Sequence, residues 1–532
     1  MFKNLIPVLF CLVLFACNHS KSKPQRKIIR DTTINNKNSF SELSLDSLKL
    51  EKYISDNSFT DSAAANMRNF YNSRNYHFAW FTNSGLAEQT RAFWNLHNNE
   101  LMSTKDSSLY DNKLHTRMKE LIENEEGTKL SANELVETEL HLTQHFFKYA
   151  KFAYEGTINP TELQWYIPRK KVDVVNLLDS LFKQNGAKLT DWEPISKDYR
   201  LLEKKLPGYY EIQKKGGFTI VYPGDKIYRP GDSAIAIQQV KERLQQSGDY
   251  HSGDTSMVYG PALEAAVQHV QKLLGLNPDG VIGPGTIRQL NVSAKERIEQ
   301  ILVNMERMKW MPKERGGTRL VANIPEFKLH VFEGDNEIFN MKIVVGKAGH
   351  NTVVFSDELK YIVFSPYWNV PASIVRNEIL PAVRRDPHYL SRNNMEQTGT
   401  RNGLPDIRQK PGGNNALGRV KFIFPNSYNI YFHDTPAKML FDENDRAFSH
   451  GCVRLAGPER LARYLLRNNK EWTEEKIYEA MHKQKDDWVT LGEPVPVYLL
   501  YFTAWVDNDG GLNFRDDIYG HDEEMKSRMF EH

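Results

Sequence analysis

Residues 431–454 read Tyr-Phe-His-Asp-Thr-Pro-Ala-Lys-Met-Leu-Phe-Asp-Glu-Asn-Asp-Arg-Ala-Phe-Ser-His-Gly-Cys-Val-Arg. Tyr431-Phe432-His433 has the composition of a strand end, and Asp434-Thr435-Pro436 breaks it. Fifteen residues then separate His433 from Ser449-His450-Gly451-Cys452-Val453-Arg454. A thiol becomes a nucleophile at neutral pH when an imidazole takes its proton and the resulting ion pair is held close. A glycine beside it lets backbone N–H groups reach a developing oxyanion. Cys452, His433 and Gly451 meet these needs, with His450 as a second imidazole. Singly, each has a plainer reading: a buried cysteine is a small hydrophobe, and a histidine before Asp-Thr-Pro ends a strand in a turn. Zinc on His433, His450 and Cys452 is a chemical rival, but no fourth spaced ligand is evident. As a spaced set, the residues point to cysteine-dependent catalysis without a metal.

Outward from this stretch the hydrophobic period is that of strands. Arg319–Ile324, Lys328–Phe332, Ile338–Val345, Tyr361–Phe364, Val420–Phe424 and Val495–Phe502 are β-branched or aromatic runs separated by Gly-Asp, Pro and Asn. They predict a β-rich domain over 319–500. Pro366 to Gly418 interrupts it with Pro366-Tyr367-Trp368-Asn369-Val370-Pro371 and a glycine-rich Lys410–Asn415 segment. An insertion of this length, 366–418, reads as a lid, with Trp368 either facing substrate or filling core.

The pattern H-x15-S-H-G-C-x-R, with Gly418-Arg419-Val420-Lys421-Phe422 upstream, resembles the YkuD-type L,D-transpeptidases. The resemblance implies Cys452 as nucleophile, His433 as general base and acid, and His450 in support. It also implies oxyanion donors from the backbone of Gly451 and Cys452. Ser449, Arg454 and Trp368 are the residues assigned to substrate. The implied reaction cross-links peptidoglycan stem peptides 3→3 through a cysteine thioester, with no cofactor, and carbapenems are expected to acylate the same thiol. With water as acceptor the site is an L,D-carboxypeptidase; with a protein amine it is an anchoring transferase. A non-catalytic wall-binding lipoprotein is the rival outside enzymology.

Residues 228–292 have helical spacing. Asp232 and Ser233 are candidate caps for a helix carrying Ile237, Val240 and Leu244. Pro261 sits at a first helical position before Leu263, Val267, Val270 and Leu274, and Pro278–Thr286 makes a turn into a third helix. Asp279, Gly280, Gly283, Pro284 and Thr286 are similar to the signature of the three-helix peptidoglycan-binding module. Turn glycines speak for that fold more than for retained wall binding, so a spacer stays open. Residues 42–227 read as a mostly helical scaffold: Val136, Leu140, Thr143, Phe147 and Ala150 mark one face of a long helix stopped by Gly156 and Pro160. Trp165-Tyr166 and the other aromatic clusters there read as helical core. The fold class is multidomain α+β.

At the N-terminus, Leu5 to Ala16 is an apolar run too short to span a bilayer, ending in Leu14-Phe15-Ala16-Cys17. It resembles a bacterial lipobox, making 1–17 a signal with lipidated Cys17 and 18–41 a polar flexible tether. The third cysteine, Cys452, is then the free thiol of an exported, lipid-anchored envelope protein facing the periplasm. Residues 501–532 read as a tail. Across 532 residues, 69 Lys+Arg against 67 Asp+Glu give a formal charge of +2, which argues against a nucleic-acid partner.

Overall fold

A computed structural model describes residues 27–123, 130–183, 193–222, 227–312 and 316–530. The expected signal and Cys17 lie outside the described residues. Among those described, no helix is long and apolar enough to cross a membrane.

The chain forms two compact units. The first takes the described residues up to His97, together with those of 110–149 and 173–192. Its apolar runs at helical spacing give α1 (Ser47–Asp56), α2 (Asp61–Asn72), α4 (Asn112–Glu123) and α6 (Val174–Lys183), and much of α3 (Glu88–Thr104) and α5 (Ala132–Glu155). A short hairpin pairs β1 (Phe81–Thr82) with β2 (Gly85–Leu86). On α5, Leu140, Thr143, Phe147 and Ala150 are buried as their spacing predicts. The helix stops at Gly156, whose φ of +77° suits glycine. The polar stretch expected to be a tether is tied down from Ile28 onward. The Ile28 N–H donates to Asn69 Oδ1, Asn72 Nδ2 donates to Ile28 O, and Asn75 Nδ2 donates to Ile34 O at 2.9, 3.0 and 2.7 Å. Asparagine side chains on the neighbouring helix and turn satisfy its backbone, so low hydrophobicity here does not mean a free chain.

The second unit contains 98–109, 150–172 and the chain from Glu193. Its first strand, β3 (Trp165–Tyr166), corrects the helical-core reading of that aromatic pair: it runs parallel to the later strand at Val354–Phe355. Trp165 is buried edge-on against Trp310, with ring centroids 5.4 Å apart. Helices α7 (Lys197–Glu203) and α8 (Leu206–Lys214) precede the three-helix module of α9 (Ile235–Ser247), α10 (Pro261–Leu273) and α11 (Pro284–Leu290). Ala234 is the N-cap of α9, not Asp232 or Ser233; Asp232 turns back to accept the Arg229 N–H at 2.7 Å. Gly280 has φ +71°, its N–H donates to Gln271 Oε1 and Asp279 Oδ1 accepts the Val281 N–H, which accounts for the Asp-Gly turn. α12 (Ala294–Trp310) opens with a Ser293/Glu296 capping box.

The sheet follows: β4 (Thr318–Asn323), β5 (Lys328–Glu333), β6 (Asn336–Gly346) and β7 (Val354–Phe364), then β11 (Val420–Ile423), β12 (Phe432–His433), β13 (Ala447–Ser449), β14 (Val453–Leu455) and β15 (Asp487–Leu500). Pairing runs β11-β12-β14-β6-β5-β4-β15-β7, and β7 pairs with β11, closing the circuit. β3 and β13 attach at β7 and β6. α16 (Pro458–Leu466) and α17 (Glu474–Ala480) cover the core with Leu461, Ala462 and Ile477. The insertion is a small folded body. In it β8 (Trp368–Asn369), β10 (Leu404–Gln409) and β9 (Met395–Arg401) pair in that order, beside α13 (Ala372–Ile374), a π-helical turn at Val375–Ile379, α14 (Leu380–Arg385) and α15 (Tyr389–Arg392). Val370, Val375, Ile379 and Ile407 form its own core.

Residues 501–532 depart from the expected tail. β16 (Ala504–Val506) and β17 (Leu512–Phe514) form a hairpin, and α18 (His521–Phe530) docks on α12 through Arg307 and Asp522. Their side chains are 2% and 3% exposed, with Nη1–Oδ1 2.5 Å, and Asp522 also accepts the Thr503 hydroxyl. The polar pairing adds to apolar packing: Ala504, Val506 and Phe514 share a core with Leu202 and Ile301, and Met525 is buried against the sheet. Breaking a buried pair strands the remaining charge, so Asp522→Ala should cost about 3–5 kcal/mol in thermal or urea unfolding. Arg307→Met combined with Asp522→Leu should recover most of that loss.

Candidate active site

Three short strands set the site. Antiparallel β11 and β12 place Lys421 opposite His433, and parallel β12 and β14 place His433 beside Arg454. Strand alternation sends Phe422, Phe432 and Val453 into the core and leaves Lys421, His433 and Arg454 in a row on the other face. Tyr431 and Cys452, each two residues earlier, share that face.

His433 is buried, and its Nδ1 lies in a short contact with Asp434 O. A carbonyl only accepts, so Nδ1 carries the proton and Nε2 is left bare. Burial, with Arg454, Lys421 and Lys438 nearby, pushes the imidazole down to about 3, against the opposite pull of the Asp434 carbonyl. The ring is therefore a neutral base at pH 7. Asp434 secures this strand end: Oδ2 accepts the Arg419 N–H at 2.8 Å and Oδ1 accepts Lys438 Nζ at 2.5 Å. Gly418 adopts φ +61°, and a Cβ there would lie 2.3 Å from Asp434 Cγ, which accounts for the Gly-Arg preceding β11.

The Cys452 S–H donates to Asn429 O at 3.6 Å. Burial pushes the thiol up; the backbone and hydroxyl of Tyr431, then Lys421 and Arg454, oppose that. Lys421 Nζ sits 3.7 Å from the Tyr431 ring centroid, and burial lowers its own pKa. At rest the thiol and the imidazole are each neutral, where the motif suggested an ion pair. His433 and Cys452 share one face of neighbouring strands, with the S–H directed to Asn429.

The Ser449–Cys452 turn revises two expectations. The Ser449 hydroxyl, expected at substrate, is buried and donates to Cys452 O at 2.6 Å. The Gly451 N–H, expected in an oxyanion hole, donates to Ser449 Oγ at 3.1 Å. Gly451 has φ +110°, so glycine is required for its backbone. A local hydroxyl satisfies the turn before any ligand can. His450 is 45% exposed, its ring 4.9 Å from that of His350 and its Nε2 3.8 Å from Glu378 Oε1 on the insertion. Burial, then His350, lowers its pKa, and Glu378 opposes them. Arg454 stands in the sheet row, with a buried Nε that lacks a hydrogen-bond partner. Trp368 is half-buried against the insertion's own core, which favours packing over substrate contact.

Sequence reasoning missed Tyr431, Lys421, Asn429, His350 and Glu378. Alternation back from His433 could have flagged Tyr431; the others needed the register. Among the described residues, no group of three or more His, Cys, Asp or Glu is arranged to hold a metal ion.

Residues 317–497 match the family described as L,D-transpeptidase catalytic domain. This stretch of the chain is thus similar to L,D-transpeptidase catalytic domains. Residues 65–206 match a "Scaffold domain" and 233–290 a "Putative peptidoglycan binding domain". A Haemophilus influenzae protein named "Putative L,D-transpeptidase" is 30% identical over 255 residues, 45% of this chain and 50% of its own length. The match thus spans about half of that relative. An uncharacterized Kitasatospora aureofaciens protein is 32% identical over 81 residues, 15% of this chain and 66% of its own. Among solved structures, L,D-transpeptidases from Stackebrandtia nassauensis and Xylanimonas cellulosilytica share 14% identity each, with TM-scores of 0.23 and 0.17. Both alignments cover 52% of this chain, with 97% and 100% of the respective neighbour.

The buried His433 has a stability signature. Its folded pKa lies below the ordinary 6.5, so between the two values the unfolded chain binds more protons and stability falls as pH drops below about 6.5. His433→Asn keeps an N–H for Asp434 O without a titrating ring. From pH 6.5 to 4.5, wild type should lose about 2 kcal/mol more than the variant in urea unfolding.

Proposed function

We propose that this protein is a cysteine L,D-transpeptidase of the bacterial cell envelope that forms 3→3 cross-links in peptidoglycan. One observation carries the reading: a neutral His433 with a bare Nε2 occupies the same face of adjacent strands as the Cys452 thiol. On substrate binding the thiol proton passes to His433, and sulfur attacks the carbonyl joining the L-centre of the third-position diamino acid to D-Ala. The tetrahedral oxyanion collapses, the C–N bond breaks, and the imidazolium gives its proton to the departing D-Ala amine. A side-chain amine of a second stem attacks the thioester, passes its proton to His433 and restores the thiol. The resting neutrality suits this cycle, because no buried charge has to be maintained while the site waits. Lys421 and Arg454 give the site the positive character that suits the terminal carboxylate of a D-Ala donor. Glu378 lends the insertion a contact at His450, in keeping with a lid.

Incubation of the enzyme with purified tetrapeptide stems, followed by mass spectrometry, tests the reaction. Cross-linked dimers with free D-Ala support transfer, and tripeptide alone supports hydrolysis. Cys452→Ala should lower either product by at least about a thousandfold without unfolding the protein. A single carbapenem adduct on wild type, absent from that variant, is expected by intact mass. Product formation by Cys452→Ala would overturn the nucleophile.

The lipobox-like Leu14–Cys17 supports lipidation at Cys17. We further propose that the three-helix module keeps the enzyme near its polymer. In cell fractionation the wild type should sediment with membranes, and Cys17→Ala should shift it to the soluble fraction. Unchanged sedimentation of the variant would refute the anchor.

A further inference from the structure

We infer that Tyr519, outside the matched catalytic segment, is a positioning residue that aims the Cys452 backbone N–H at the developing oxyanion. The inference rests on the acyl-transfer reading of Cys452.

The Tyr519 hydroxyl donates to Gly346 O at 2.5 Å and accepts the Thr352 N–H at 3.3 Å. Thr352 Oγ1 accepts the Gly346 N–H and donates to Gly451 O, both at 2.9 Å. Gly451 O and the Cys452 N–H belong to one planar peptide, so fixing the carbonyl fixes the direction of the N–H. The Gly451 N–H is already given to Ser449 Oγ, and the Cys452 N–H, on the residue that carries the sulfur, is the oxyanion donor we assign.

The hydroxyl is well braced. The Tyr519 ring stacks on Tyr501 at 5.6 Å, and its N–H donates to Tyr501 Oη at 2.9 Å. Tyr501 Oη in turn donates to Asp517 Oδ1 at 2.6 Å, and Asp517 Oδ2 accepts the Asp522 N–H at 2.8 Å. The Gly346 end is equally constrained, since a Cβ there would lie 2.0 Å from His350 O. The 346–352 loop is folded too tightly to shift without moving the catalytic turn. Sequence distance hid this link: Tyr519 follows Cys452 by two strands, two helices and a hairpin.

The test separates two reactions of the same sulfur. Acetylation by p-nitrophenyl acetate passes through a tetrahedral oxyanion: the S–C bond forms, the ester C–O bond breaks, nitrophenolate leaves, and the thiol proton goes through His433 to water. Alkylation by iodoacetamide displaces iodide at carbon and needs no oxyanion donor. In the full chain, Tyr519→Phe should slow Cys452 acetylation at least about tenfold while alkylation changes less than twofold. Thr352→Val should show the same split and Thr352→Ser should restore acetylation. Tyr519→Phe with Thr352→Val should cost little more than either alone, because both act through one carbonyl. Unchanged acetylation, or acetylation and alkylation falling in parallel in both variants, overturns the inference. If wild type transfers no stem peptide while the acetylation split persists, the transpeptidase reading fails and the positioning role stands. If stem transfer proceeds and the split is missing, the transpeptidase reading stands and the positioning role fails.

Discussion

A parallel pairing only two residues long, Phe432 with Val453 and His433 with Arg454, brings the imidazole strand beside the thiol strand. Because side chains alternate, this register decides at once that two hydrophobic residues enter the core and that the polar row faces the site. A slip by one residue would bury Arg454 and His433 in the place of Phe432 and Val453, at a desolvation cost no short strand can offset. The register is pinned from outside. β14 also pairs with β6, β12 also pairs with β11, and Asp434 holds Arg419 and Lys438 at the strand end. The geometry of the candidate site is thus a by-product of core packing on the opposite face.

Burial is the second consequence. Lys421, Arg454 and Tyr431 crowd the sulfur, and two cations would ordinarily pull a thiol down. Here desolvation outweighs them for Cys452, and the same desolvation holds His433 neutral. The two effects agree: each keeps its group uncharged at pH 7, the starting state of the proposed acyl transfer. The Nδ1–H bond to a backbone carbonyl does the remaining work by choosing the tautomer, which no charge nearby could do as reliably.

Much of this was legible in the sequence, for identifiable reasons. Period-two apolar runs located β4, β5, β6 and β11, and the His433-x15-Ser449-His450-Gly451-Cys452 spacing marked two segments that the β12–β14 pairing brings together. What failed depended on contacts between distant segments. Trp165-Tyr166 looked like helical core, since a strand of two residues has no period to read. Ser449 and Gly451 looked like ligand-facing groups, yet they satisfy each other. The polar 27–41 stretch looked free because its partners, Asn69, Asn72 and Asn75, are themselves polar. The C-terminal segment looked like a tail because its buried apolar residues, Ala504, Val506, Phe514 and Met525, are few and scattered, with Arg307, Asp522 and Thr503 adding polar pairing.

That last case bears on where the active domain ends. The segment 317–497 contains the thiol and both histidines, and a chain cut after Val497 would retain the recognisable motif. It would lose Asp522, stranding Arg307 in a buried site, and it would lose Tyr519, the brace on Gly346 and Thr352. The first loss is one of stability and the second one of geometry, and they arrive together because α18 supplies the anchor from which Tyr519 reaches the turn. The folded unit therefore extends beyond the segment its motif defines: hydrogen bonds from residues with no chemistry of their own hold the loop that braces the Gly451–Cys452 peptide.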